Sequence, residues 1–183
     1  MTIKSLTEVS RFIILVGTGG LGKSMMMRHL LLNAIGNYDD VGLIPIFIPL
    51  KDFDESVDNL FRYIFSKVAT LCVNITESQL MDALDAGKCL LLFDALDEIS
   101  STYGRPFERE LEVLTDMYPN NCFVISSRPN QSFVSFSRFS ILQLKPFTKP
   151  QALQLIEHLE FRPDKPMIKK KFQMALDNSL YRT

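Results

Sequence analysis

Apolar residues along this chain come in two rhythms that take turns. Short unbroken runs, Phe12 to Val16, Cys89 to Phe93 and Cys122 to Ile125, have the density of strands covered on both faces, as in parallel sheets. Stretches 41–50 and 141–144 complete a set of five strands. Pro45 and Pro49 cannot donate ladder hydrogen bonds, so the strand at 41–50 is expected at or near a sheet edge.

Between these runs the spacing changes to that of helices. Met25, Met26, Leu30, Leu31, Ala34 and Ile35 give a broad apolar surface that stops at Gly36-Asn37. Residues 54–69 carry Val57, Leu60, Phe61, Ile64, Phe65 and Val68 on one face. Thr76 and Gln79 form a capping box opening a short helix with Leu80, Met81 and Leu84, ended at Gly87. A loop at 101–106 is expected before a helix at 107–117, with Leu111, Leu114 and Met117 inward and Pro119-Asn120-Asn121 ending it. Residues 1–10 read as a short polar lead-in, and 131–140 as a loop. Thr148 and Gln151 are a further capping box, starting a helix in which Leu153, Ile156 and Leu159 face the core. A linker at 162–166 then precedes a helix at 167–180 whose Phe172, Leu176 and Leu180 have no evident cover.

The first strand ends in Gly17-Thr18-Gly19-Gly20-Leu21-Gly22-Lys23-Ser24. A phosphate must sit in a nest of backbone N–H groups, and only a glycine-rich turn brings them close enough. Lys23 supplies a compact charge for the β- and γ-phosphates, Ser24 a hydroxyl for Mg²⁺, and the helix that starts there points its positive end at the anion. Gly17 to Ser24, with Met25 directly after, form the expected nucleotide-binding set.

The strand at 89–93 runs into Asp94-Ala95-Leu96-Asp97-Glu98, which delivers carboxylates to the sheet edge where ligands bind in open α/β folds. Asp94 fits a Mg²⁺-coordinating acid alongside Ser24, directly or through water. Asp97 and Glu98, one turn later, are placed to orient or deprotonate a water attacking the γ-phosphate, and either could be the base. The strand at 122–125 closes with Ser126-Ser127-Arg128-Pro129, where Arg128 could sense the γ-phosphate with its two-pronged guanidinium.

Composition narrows the partners. The chain has 183 residues and a net charge of −1, from 20 basic and 21 acidic side chains, so no basic field points to nucleic acid. Lys169-Lys170-Lys171 reads as a solvated helix face, and His29 and His158 as packing or surface positions. Cys72, Cys89 and Cys122 match no metal or redox spacing and read as buried small apolar groups. With no signal peptide and no apolar stretch near 18 residues, a cytoplasmic setting without a membrane partner is expected.

The order and wording of these motifs resemble the NACHT family of signal-transducing P-loop ATPases. The resemblance lies in the doubled glycine of the 17–24 loop, in Ile44-Pro45-Ile46-Phe47-Ile48-Pro49-Leu50, and in Leu90-Leu91-Leu92-Phe93-Asp94-Ala95-Leu96-Asp97-Glu98-Ile99. It continues through Ser126-Ser127-Arg128-Pro129 and Leu144-Lys145-Pro146-Phe147, spanning about residues 12–159. It implies a three-layer α/β fold of the ASCE type, with a five-stranded parallel sheet in the order 5-1-4-3-2 and helices on both faces. It also implies a nucleotide-binding domain at 1–161 and, at 162–183, the start of a helical domain cut short. Winged-helix, sensor and effector domains of relatives would lie beyond.

By that resemblance the chain is an ATP- or ADP-binding switch with slow Mg²⁺-dependent hydrolysis, self-associating when activated, in innate immunity or antiphage defence. The competing reading is an AAA-like mechanical ATPase, which would need an acid directly after Asp94, where this chain has Ala95. A small-molecule kinase ranks third, without a recognisable lid or acceptor site. The guanine-reading Asn-Lys-x-Asp motif does not occur, which favours adenine.

Overall fold

The computed structural model describes residues 2–54, 59–129, 133, 136–158 and 167–178. Val57, Leu159, Leu180, the linker at 162–166 and much of the loop at 131–140 lie outside these, as does the side chain of Leu176. The chain falls into two compact units, Met1–Leu144 and Lys145–Thr183.

The first unit is built on five strands: β1 Phe12–Val16, β2 Ile44–Pro49, β3 Cys89–Asp94, β4 Cys122–Ser127 and β5 Ser140–Gln143. They lie in the order β2-β3-β4-β1-β5, and every pairing is parallel. This is the expected order, with the proline-bearing β2 at an edge. The helices are α1 Ile3–Val9, α2 Lys23–Gly36, α3 Tyr38–Val41, α4 Leu60–Ala69, α5 Glu77–Asp85 and α6 Ser101–Met117.

Alternation along the strands sorts side chains into two cores. Ile13, Leu15, Leu90, Leu92, Cys122 and Val124 pack with Ile3 and Leu6 of α1 and with Met27, Leu30 and Ala34 of α2. Ile14, Val16, Leu91, Phe93, Phe123 and Ile125 pack on the opposite face with Leu60 and Ile64 of α4, Leu80 and Leu84 of α5, and Phe107, Leu111 and Leu114 of α6. The sheet is the middle of three layers. β3 and β4 are buried along their whole length, which is why their sequences are unbroken apolar runs rather than alternating ones.

Several elements differ from expectation. The lead-in at 1–10 contains α1: Thr2 and Ser5 cap it reciprocally, and Ile3 and Leu6, three apart, share its buried face. The strand expected at 41–50 starts at Ile44, preceded by the short helix α3. Residues 101–106 are helical and belong to α6, despite Pro106. Proline there removes one early hydrogen bond, a cost offset by full burial of Phe107 and packing of Tyr103 against the core. Met117 is exposed rather than inward, because Phe107, Leu111 and Leu114 are followed on the buried stripe by Tyr118. Cys72 is exposed, so only Cys89 and Cys122 are buried; burial pushes their thiols up to about 11 and about 12.

The second unit holds α7 Lys149–His158 and α8 Met167–Asn178, which meet each other, with Lys169 Nζ donating to the Glu157 carbonyl. α7 buries no residue fully. Leu153 and Ile156, expected in the core, are half-buried, and Phe172 of α8 is exposed. Among the described residues no helix is long and apolar enough to cross a membrane.

Candidate functional site

Parallel pairing brings the C-terminal ends of β1, β3 and β4 to one edge. Register sets Val16 beside Ser127 and Phe93 beside Ile125, so the segments that follow Val16, Asp94 and Ser127 leave the sheet as neighbours. All the chemistry expected from sequence sits in those three exits.

The exit of β1 is the glycine loop. Gly17 N–H donates to the Ser127 carbonyl at 3.2 Å, and Leu144 N–H to the Val16 carbonyl at 2.8 Å, which ties the loop's base to both neighbouring strands. Gly20 and Gly22 have φ of 81° and 80°, left-handed values that side chains resist, and Gly22 is the N-cap of α2. The first helical bond of α2 runs from Met26 N–H to the Gly22 carbonyl at 2.8 Å, leaving the N–H groups of Lys23, Ser24 and Met25 without a helical acceptor. A Cβ added at Gly19 or Gly20 would meet nothing within 4 Å, so the loop is a cradle open on its outer side. Lys23 folds back over it, with Nζ donating to the Gly17 carbonyl at 2.8 Å and the Thr18 carbonyl at 3.4 Å. An ammonium has three donors, so one remains for an anion.

The exit of β3 is the acidic turn. Asp94 is buried, and its Oδ1 accepts from Ser126 Oγ at 2.5 Å. The same Ser126 oxygen accepts from Ala95 N–H at 2.8 Å. Ser126 thus fixes the Asp94 carboxylate and the turn after it together. Ala95 has φ 67°, the one positive φ outside glycine among the described residues, and it redirects the chain into a 3-10 turn, Leu96–Glu98. Sequence reasoning gave Ser126 no role of its own. Its signal was a serine where an apolar run reaches the ligand edge.

The exit of β4 is Arg128. Its Nε lies 2.8 Å from Asp97 Oδ2, and its backbone N–H donates to Asp97 Oδ1 at 3.1 Å. The three exits enclose an open cavity of about 330 Å³, lined from the loop by Gly19, Gly20, Gly22, Lys23, Ser24 and Met25, and opposite by Ala95, Asp97, Glu98, Ser126 and Arg128. Gly17, Thr18, Leu21 and Asp94 do not line it. Gly17 and Thr18 instead receive Lys23, Leu21 N–H turns back to the Thr18 carbonyl, and Asp94 sits behind Ser126.

A phosphate chain fits this cavity chemically: unpaired N–H groups, a helix N-terminus and two cations face it. Mg²⁺ requires hard oxygen donors. Ser24 and Asp94 offer hard oxygen ligands, and no cluster of three or more His, Cys, Asp or Glu able to hold a metal occurs among the described residues. Mg²⁺ bound through one or two protein oxygens and substrate phosphates needs no such cluster.

A parallel sheet in this order, with a glycine loop after β1 and an acid at the end of β3, defines a P-loop NTPase. The NACHT domain model matches residues 11–161, and the chain belongs to the NACHT family. No curated protein sequence matches it. Among solved structures, AMPPCP-bound DnaA from Aquifex aeolicus is similar at a TM-score of 0.51 and 18% identity, over 91% of this chain and 50% of that one. PCH-2 of C. elegans gives 0.49 and 13%, over 98% and 45%. This chain therefore spans about half the length of either, and the likeness to DnaA is one of fold.

Proposed function

We propose that the chain is an ATP-binding switch module that hydrolyses its nucleotide slowly with Mg²⁺ and signals by self-association, in innate immunity or antiphage defence. The observation that carries the nucleotide part is the cavity in which Lys23 and Ser24, the Asp97-Glu98 turn and Arg128 converge. Loop N–H groups and Lys23 hold the phosphates, Ser24 would hold the metal directly and Asp94, set behind Ser126, through water, and the acidic turn orients the attacking water. Bound Mg²⁺ neutralises phosphate charge. Arg128 meets the γ-phosphate, which gives the two nucleotide states different contacts, as a switch requires. The binding of AMPPCP by the similarly folded DnaA supports ATP as the ligand. Residues 1–161 form the nucleotide-binding domain in this reading, and 162–183 open a helical domain. The setting is cytoplasmic.

ADP at a hundred times its dissociation constant should stabilise the chain by about 2.7 kcal/mol, or about 5–10 °C in thermal midpoint for this size. Lys23→Ala should cost about 3 kcal/mol of binding, roughly a hundredfold. Thermal unfolding with and without ADP checks the first and calorimetric titration the second, and unchanged affinity in Lys23→Ala removes the loop from the site. Turnover of many ATP per minute would favour a motor over a switch.

A further inference from the structure

We propose that Asp97 is a positioning residue for Arg128 that sets the preference for a nucleoside triphosphate over a diphosphate, leaving Glu98 as the carboxylate that acts on water. This rests on the nucleotide reading above. Asp97 is tied at both oxygens to one partner, through Nε at 2.8 Å and the backbone N–H at 3.1 Å. Its side chain is 11% exposed, whereas that of Arg128 is 60% exposed. The more enclosed member therefore anchors the exposed one.

Which nitrogen is used matters. A guanidinium is planar with five donors in a fixed fork, so anchoring Nε sets the bearing of both terminal nitrogens. Those two make no hydrogen bond among the described residues, and Arg128 lines the cavity. A fork held in advance does not spend side-chain freedom when it grips an anion, and it offers two parallel N–H donors to a terminal phosphate. Glu98 lines the same cavity, and its carboxylate accepts no hydrogen bond among the described residues. Adjacent acids thus divide the work: Asp97 orients a cation, and Glu98 keeps both oxygens for water.

The test is calorimetric titration of Mg²⁺-AMPPCP and Mg²⁺-ADP into the whole chain and into Asp97→Asn, Arg128→Gln and the double variant. Each single change should lower the AMPPCP-to-ADP affinity ratio about tenfold and leave ADP affinity within about twofold, a retention that also reports an intact fold. The double variant should fall no further, because both changes remove one unit. Glu98→Gln should keep the ratio and lose turnover. An unchanged ratio in Asp97→Asn, or additive losses in the double variant, overturns the role. Should Asp97→Asn misfold, Arg128→Lys keeps the charge without Nε or the fork, and an undiminished ratio there overturns it equally. If the unaltered chain binds neither nucleotide, the site falls and this role with it; binding with an unresponsive ratio overturns the role alone.

Discussion

Ala95 holds a left-handed backbone, φ 67° and ψ 57°, at the one turn that leads from the buried Asp94 to Asp97 and Glu98. For an L-residue that conformation costs about 1–2 kcal/mol, and a hydrogen bond from its N–H to Ser126 Oγ holds it there. A strained residue between functional groups marks a turn whose geometry is imposed by its surroundings. Ala95→Gly should remove the strain and return part of the gain through unfolded-chain entropy, for a net stabilisation of about 0.5–1 kcal/mol. Ala95→Val should destabilise by about 1–2 kcal/mol, because a β-branched side chain resists positive φ more strongly. Urea midpoints measure both, and a stabilising valine would contradict the strain. Ala95 was legible as part of the Leu90 to Ile99 stretch that resembles the family, but the reason for it, a left-handed turn bonded to a neighbouring strand, belongs to the fold.

At the scale of elements, helices and strands meet through buried polar clamps that periodicity does not register. Asn121 is fully buried between α6 and β4. Its Oδ1 accepts from Cys89 N–H at 2.9 Å at the start of β3, and its Nδ2 donates to the Leu84 carbonyl of α5 at 2.7 Å and the Tyr118 carbonyl after α6 at 3.0 Å. Read from sequence, Pro119-Asn120-Asn121 is merely a helix stop. Asn121→Ala should leave the Cys89 N–H unpaired and strip one of their donors from the Leu84 and Tyr118 carbonyls, which keep backbone partners in Gly87 and residue 121, at a cost of about 1–3 kcal/mol, whereas Asn120→Ala, on the exposed neighbour, should stay within about 0.5 kcal/mol. Equal midpoints for the two variants would refute the clamp. The same limit explains α6: Gly104 and Pro106 are local breakers, and the burial of Phe107 that overrides them is a tertiary fact.

Over the whole molecule, protection should follow coverage. β3 and β4 lie under helices on both faces, while β5 is half-exposed and α7 buries nothing fully. Hydrogen exchange should therefore be slowest at Leu90–Phe93 and Cys122–Ile125 and fastest, among the helices, in α7 and α8; uniform protection would contradict the layered core.

The five strands, the edge position of β2 and the loop at 17–24 followed from sequence alone, because strand burial, proline's missing N–H and the backbone demands of a phosphate nest each act within a few neighbouring residues. Those local rules also put Asp94, Asp97, Glu98 and Arg128 at strand ends. What no local rule contains is which ends are adjacent and how they are tied. The parallel register set β3 beside β4, and only that adjacency gave Asp94 to Ser126 and Asp97 to Arg128. These are contacts across 32 and 31 positions of chain, made by packing rather than by sequence neighbourhood.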